Sequence, residues 1–538
     1  MHDPVLDIDL RRRARYSQGA GIQRIVPAAV SRPQTIAELH AVLAAAARDG
    51  FAVTPRGAGS ATDGSNIGAG VVVDLSGFEA GRCTIDPATR RATTSPSLPL
   101  GVLATAAAQH GLRLPPDPSS GGWATLGGMV STNASGARSL RYGSVRRWVQ
   151  ALVLETVDGP LALARDAEPD AEHPVIARWR AHAGPLIATH HDEIIARFPK
   201  VRKNSAGYAL DAFQASGDLL DLVIGAEGTL GIVTDITWQL DPVPQHRASL
   251  RVVLRDGLAL MEAIEAIRAF DPSTLELLDA SLLAVVTDRV GVLDDTGAFS
   301  RAAGLLLADF EGDLAAAVDA RARAAGDAAR SSSTDVCVAT TNADIDRLWA
   351  VRHGASPALA GLTDGRRSLQ VIEDGCVPPE RLGEYLDAVR TICAAEQIDA
   401  VIFGHAGDGH LHVNLLPDVR DATWVGRVHA IYAHTTDVVV RLGGTPSGEH
   451  GTGRLRAPLM QQLYGTAVLE CFSAVKGAFD PDACFNPGVI LGHDDPFATL
   501  KVGTDAPSLP VGIDAWLAMI EREARWGDAR WDDEPPSR

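Results

Sequence analysis

The sequence predicts a large α+β protein built from more than one domain, and three observations carry that expectation. Between about residues 25 and 240, short strand-like runs such as "VVVDLSG", "VQALVLETVDG" and "GIVTDITWQL" alternate with loops unusually dense in glycine. At Pro242 and Pro244 the pattern breaks, and from 247 onward strands alternate with Ala/Leu/Arg-rich helical stretches such as "LALMEAIEAIRAF" and "DLAAAVDARARAAGDAAR". A third region, 420 to 495, reads as mainly helical. A chain of 538 residues that is 46% apolar has room for two or three domains, each with its own core.

The divisions follow: an N-terminal segment over 1–24, a glycine-loop domain over 25–243, a second α+β domain over 244–420, a helical segment over 421–495 and a tail over 496–538. Arg11, Arg12 and Arg13 are not followed by an apolar stretch, so they read as a charged surface segment and not as an export signal. The tail holds Trp516, Trp526 and Trp531 among many charges and reads as a docking segment or a loosely held terminus. No run of 18 apolar residues predicts a membrane span. A net charge of −18, from 67 acidic and 49 basic residues, disfavours nucleic acid as a partner. It leaves a small anionic substrate open, because local charge governs a site within a Debye length of about 8–10 Å. Six cysteines without a CxxC pair write neither a disulfide framework nor a zinc ribbon nor an iron–sulfur site. A reducing, cytoplasmic setting is expected, with a peripheral position at the inner membrane as the alternative.

Glycines punctuate "TPRGAGSATDGSNIGAGVVVDLS" (54–76) between two strands. At such density backbone N–H groups can converge on an anion, and a pyrophosphate is the implied ligand. No helix follows directly and no Gly-Lys-Ser/Thr is present, so this is neither a dinucleotide fingerprint nor a P-loop. A long flexible hairpin would use the same residues. A second small-residue region at 115–149 and a third at 225–240 suggest that several loops wrap one extended cofactor.

The stretch "FGHAGDGHLHVNLLP" (403–417) reads as two strands joined by "HAGDG". His410, His412 and Asn414 then share one face, and a bend at Gly407 and Gly409 brings His405 to the same point as His412. His410, one pleat along, is expected about 7 Å from His412. Two imidazoles at one point begin a metal site, but a polar hairpin with surface histidines fits this stretch equally well.

With "PRGAGS", "LGGMVSTNASGARSLRYGSV", "GAEGTLGIVT", "GHAGDGHLH", "SGEHGTGRL" and "FNPG" in this order, residues 25 to 492 resemble the vanillyl-alcohol oxidase/p-cresol methylhydroxylase flavoprotein family, in its FAD-linked 2-hydroxyacid dehydrogenase branch. The resemblance implies a two-part FAD-binding domain of the p-cresol methylhydroxylase type, a ferredoxin-like α+β substrate (cap) domain, and a C-terminal helical segment that returns to the flavin. It implies that Arg56, Gly57, Ala58, Gly59 and Ser60 hold the FAD pyrophosphate. Pro116, Asp117, Thr125, Gly127, Gly128, Asn133, Ser135 and Gly136 would contact the rest of the cofactor. Glu227, Ile232 and Val233 would lie near adenine and ribose, and Asn486 would approach the isoalloxazine. No histidine stands in "GAGSATDGSN", so non-covalent FAD is implied.

The same resemblance assigns His405, His412 and Glu449 as ligands of a divalent metal, zinc first with manganese or iron as alternatives, and His450 as the catalytic base. Arg352 would clamp the substrate carboxylate, although alone it reads equally as a surface salt bridge. Asn414 and His410 are candidates for substrate contact, His410 also for a residue that merely completes the hairpin. The implied reaction oxidises a D-2-hydroxy acid, of the D-lactate or D-2-hydroxyglutarate class, to the 2-oxo acid, with hydride passing to flavin N5.

Three departures from the family pattern are visible: Ile372 where some hydroxyglutarate-specific members carry Lys, His410 in place of a common Asn, and Val489 in place of a frequent Lys. No cysteine-rich iron–sulfur region is present. Electrons are therefore expected to pass to a quinone, a cytochrome, an electron-transfer flavoprotein or a separate iron–sulfur subunit, and a homodimer is compatible with the chain. Two rival readings are an alkyl-dihydroxyacetone-phosphate synthase-like transferase and a flavoprotein subunit of a larger redox complex.

Overall fold

The computed structural model describes residues 5–290, 302–360, 362, 365–503 and 506–523. Among the described residues the first half contains, besides a two-stranded pairing of Leu112–Arg113 with Asp241–Pro242, two larger sheets. One is parallel, with Val71–Asp74 between Ala29–Ser31 and Val53–Arg56. It is covered by helix Ile36–Asp49, which the sequence starts and stops by local means: Thr35 Oγ1 accepts from Glu38 N at 3.3 Å, and Gly50 takes a left-handed φ of 72° at the other end. The second sheet is antiparallel, in the order Cys83–Asp86, Arg91–Thr94, Ile232–Gln239, Val149–Thr156, Gly159–Ala164. The first glycine loop connects strands Val53–Arg56 and Val71–Asp74 without an intervening helix, as expected.

The second α+β unit is one seven-stranded antiparallel sheet. Its order is Ser333–Ala339, His246–Leu254, Gly304–Gly312, Thr274–Asp279, Ala400–Gly404, His410–Leu415, Gly375–Cys376. Side chains alternate between its faces with period two. Leu250, Val252, Leu275, Leu277, Leu306, Ala308, Leu411 and Val413 join the main core together with helices Ala259–Arg268, Ala315–Ala328 and Leu382–Ala395. The opposite face carries Arg247, Thr274, Glu276, Asp309, His412 and Asn414, and all six line the principal cavity. Alternation thus separates the main core from the cavity side, and the cavity side carries its own apolar cluster, with Val253, Leu278, Leu305, Leu307, Val401 and Phe403 buried beside the polar residues.

Helices Trp424–Arg441 and Met460–Phe479 follow, the latter broken at Gly465. The chain then returns to the first half, where Phe485 pairs with Val53. Of the tail tryptophans, Trp526 and Trp531 lie outside the described residues. Trp516 belongs to helix Ile513–Arg522, which buries Ile513, Trp516, Leu517 and Ile520 against Ala14 of helix Leu10–Arg15. This part of the tail therefore docks on its own chain, helped by Arg24–Asp514 at 2.8 Å. Among the described residues no helix is long and apolar enough to cross a membrane.

An ion-pair network joins the two halves. Arg113 donates to both Glu311 oxygens at 3.2 and 3.1 Å, and Tyr142 donates to Glu311 Oε2 at 2.7 Å. Burial acts to raise the Glu311 pKa, but the Arg113 guanidinium outweighs it and holds the carboxyl below its usual value. Removing one member leaves a buried charge without its partner, so Glu311→Ala is expected to cost about 3–5 kcal/mol in urea unfolding. A folded-state pKa below the unfolded one gives stability that is present above the ordinary glutamate value of about 4.3 and lost as pH falls. The gap between wild type and mutant should therefore shrink below that pH.

Candidate active site

A cavity of about 470 Å³ lies between the two halves and runs from the glycine loops to the histidine hairpin. That volume is in the range of small-molecule sites. Gly57, Ala58, Gly59, Ser60, Asp117, Thr125, Gly127, Gly128, Ser135, Gly136, Glu227, Ile232 and Val233 all stand on its wall. Three separate loops of small residues thus face one elongated space, which suits an extended cofactor such as FAD.

Other expected contacts fall elsewhere. Arg56 reaches the wall, but its guanidinium is occupied by the carbonyls of Tyr16, Gln18 and Asn66 at 3.0–3.3 Å, and burial lowers its pKa to about 10. The guanidinium thus braces the loop. Pro116 and Asn133 are not on the wall; Asn133 ends helix Leu126–Thr132 in a left-handed conformation and accepts from Arg146 N. Asn486 is fully buried behind the first loop, where its amide donates to Ser65 O and Glu227 O and its oxygen accepts from Thr54. It ties the returning C-terminal segment to the cofactor loop and does not face the cavity.

At the other end the hairpin forms as strands Ala400–Gly404 and His410–Leu415 with Phe403 paired to His412. The bend differs from expectation: Gly404 (φ 155°) and Gly409 (φ 75°) supply the left-handed conformations, while Gly407 supplies room for Leu140. His405 Nε2 and His412 Nε2 are 3.3 Å apart, and Glu449 Oε1 lies 3.3 Å from the first and 3.4 Å from the second. Donors each about 2.0–2.1 Å from one centre at tetrahedral angles would be about 3.3–3.4 Å from one another. The three atoms therefore fit a single divalent cation.

Each ligand candidate is held from behind. His405 Nδ1 pairs with Glu276, and His412 Nδ1 donates to the Glu373 carbonyl at 3.0 Å. Glu449 Oε2 accepts from Ser135 Oγ and Lys203 Nζ, both at 2.9 Å, which leaves Oε1 toward the imidazoles. Ser135, expected at the flavin, thus serves the carboxylate as well. Burial disfavours an ionised Glu449, yet Lys203 and His405 keep its pKa well below the usual range. Such outer partners fix ligand orientation.

His450 also faces the cavity, with Nε2 3.4 Å from Glu449 Oε1 and Nδ1 2.6 Å from Glu373 Oε2. Burial works to lower its pKa, but Glu373 and Asp374 outweigh that and raise it well above the ordinary value. Arg352 lies over the Phe403 ring at 4.8 Å and donates Nε to Glu276 Oε2 at 3.0 Å. Glu276 thereby links the expected carboxylate clamp to His405, and together they hold its pKa down at about 2 against burial. Asn414 is on the cavity wall, where Ser368 donates to its oxygen at 3.3 Å. His410 is not: it is fully buried behind the other histidines. Nor is it remote, because its ring centroid is 4.7 Å from that of His412. Side chains that lean together close the pleat spacing expected from the backbone.

Sequence reading missed four buried ionised residues that organise the site: Glu276, Glu373, Asp374 and Lys203. Adjacent acids inside the apolar context "QVIEDGCV", and a lone Glu in "STLELLDA", were the available signals.

Residues 243–490 match the family model described as FAD linked oxidases, C-terminal domain, and residues 27–162 match that of an FAD binding domain. The chain belongs to the FAD-linked oxidase family and is a flavin-linked oxidoreductase. It is 29% identical to the glycolate oxidase subunit GlcD of Bacillus subtilis, over 90% of this chain and 93% of that protein. It is 28% identical to a D-lactate dehydrogenase of Archaeoglobus fulgidus, over 86% and 91% respectively. Against the Escherichia coli D-2-hydroxyglutarate dehydrogenase it is 27% identical over 95% of its own length, but spans only 53% of that larger protein. Among solved structures, an alkyldihydroxyacetonephosphate synthase shares the fold with a TM-score of 0.61, at 16% identity over 90% of this chain and 82% of that one.

One substitution tests whether the loops hold flavin as a cradle. Gly136 has φ 146°, and a Cβ there would meet the Asp117 carbonyl oxygen at 2.4 Å. Gly136→Ala should cost about 1–3 kcal/mol of backbone strain and reduce the flavin absorbance per mole of purified protein.

Proposed function

We propose that this protein oxidises a D-2-hydroxy acid to the corresponding 2-oxo acid, with non-covalent FAD and a divalent cation held by His405, His412 and Glu449. The observation that carries the reading is the 3.3–3.4 Å triangle of donor atoms beside His450 and Arg352, on the wall of the cavity the glycine loops also line. When bound, FAD supplies a two-electron acceptor for the hydrogen leaving Cα, and the cation supplies positive charge where alkoxide character develops. Arg352, fixed through Nε by Glu276, binds the substrate carboxylate with its remaining N–H groups. Asn414 contributes a polar contact on the same wall.

His450 takes the hydroxyl proton at Nε2, because Glu373 holds Nδ1 as the donor nitrogen. Its carboxylate neighbours favour the charged ring, and a cation held at the adjacent donor triangle would oppose them and favour the neutral, proton-accepting imidazole. The relatives named as glycolate oxidase subunit, D-lactate dehydrogenase and D-2-hydroxyglutarate dehydrogenase support the substrate class. Electrons then pass to an acceptor other than NAD, and the glycolate oxidase relative supports a role as one subunit of a larger redox assembly.

Anaerobic addition of D-lactate, glycolate or D-2-hydroxyglutarate should bleach the bound flavin, and acid precipitation should release it. Flavin that stays oxidised with every 2-hydroxy acid tried would favour the transferase chemistry of the synthase that shares this fold. His450→Ala is expected to lower turnover about 10²–10⁴-fold with metal and flavin contents unchanged. His405→Ala, His412→Ala and Glu449→Ala should each lose metal and activity together, and elemental analysis of the purified variants separates the two roles.

A further inference from the structure

His410 is the one histidine of the hairpin to which the proposed chemistry gives no task. Its Nε2 is 2.9 Å from Asp374 Oδ1. That carboxylate already accepts from Glu449 N at 3.1 Å, His450 N at 2.9 Å and Ser447 Oγ at 3.2 Å, so it stands as acceptor toward every neighbour, His410 included. The proton therefore sits on Nε2, and Nδ1 carries a bare lone pair. No hydrogen-bond partner meets Nδ1 among the described residues, although the side chain is fully buried. Leaving such a group unsatisfied costs about 1–3 kcal/mol, which makes it a site in want of a partner.

The surroundings say which partner. The His410 ring lies 4.7 Å from His412 and 5.3 Å from His405, centroid to centroid. One of its ring nitrogens is within 4.8 Å of the donor atoms of His405, His412 and Glu449. An imidazole anchored by a carboxylate at one nitrogen and bare at the other is the arrangement that metal-ligating histidines use, and His405 with Glu276 shows it again in the same cluster. His410 stands off the cavity wall, so it flanks the cluster on the protein side, and the cavity side stays open to substrate.

We propose that His410 is a fourth protein ligand, so that the cation is held by three imidazoles and one carboxylate. The inference rests on reading the cluster as a metal centre. It excludes the two roles considered for this residue from sequence, substrate contact and passive filler.

The test uses the full chain with FAD bound, stripped by chelator and reloaded with Cu²⁺ or Co²⁺ in the absence of substrate. Pulsed EPR of the copper form should count three coordinated imidazoles in the wild type and two in His410→Asn. Co²⁺ affinity should fall in that variant by more than the about 10–100-fold that loss of an outer hydrogen-bond partner costs. Two imidazoles in the wild type would overturn the proposal while leaving the three-residue metal site intact, and this measurement needs no variant to fold. A wild-type protein that binds neither ion would remove the metal centre itself, and the fourth ligand with it.

Discussion

The site depends on one buried pair of neighbouring carboxylates, Glu373 and Asp374. Both are almost wholly shielded from solvent and both are held ionised against burial by the basic groups around them. Glu373 holds His450 through Nδ1, pairs with Arg456 at 2.5 Å and, through its carbonyl, orients His412. Asp374 holds His410 and receives the backbone N–H groups of Glu449 and His450. Two adjacent residues thus fix the hairpin and the "SGEH" loop against each other. Ionised groups this deep persist only when paired and hydrogen-bonded, so the dipeptide and its partners stand or fall together.

A second dependence runs through the sheet. Glu276 in Thr274–Asp279, His405 just after Ala400–Gly404, and His412 and Asn414 in His410–Leu415 come from three neighbouring strands. Glu449 and His450 approach from the C-terminal segment, and Ser135 and Lys203 from the first half. No single domain contains the site. It exists at the seam, which is why the Arg113–Glu311 ion pair across the halves and Asn486 behind the glycine loop belong to the same structural argument.

Much of this was legible in the sequence where the signal is local. Alternation in "HLHVNLL" placed His412 and Asn414 on one face, and glycine density marked the three loops that line the cavity. Contacts set by distant residues were not legible. Nothing local says that Lys203 meets Glu449 across 246 positions, or that Glu276 meets His405 across 129. Asn486 differs for the opposite reason: its motif is in place, but its side chain ties the C-terminal segment to the loop behind the cavity, whereas Arg56 lines the wall while bonding three loop carbonyls. His410 was placed too far from His412 because backbone spacing ignores how imidazoles lean.

In strand His410–Leu415 the core-facing Leu411, Val413 and Leu415 alternate with His410, His412 and Asn414, and this makes the site sensitive to counting as well as to chemistry. Exchange of one apolar residue for another at Leu411 or Val413 disturbs packing and leaves the histidines where they are. Insertion or loss of a single residue within His410–Leu415 would instead reverse the facing of every residue on one side of the change, exchanging apolar and polar side chains between core and cavity. Apolar exchange is therefore tolerated at the core-facing positions of these strands, whereas changes of length are confined to the connections between them.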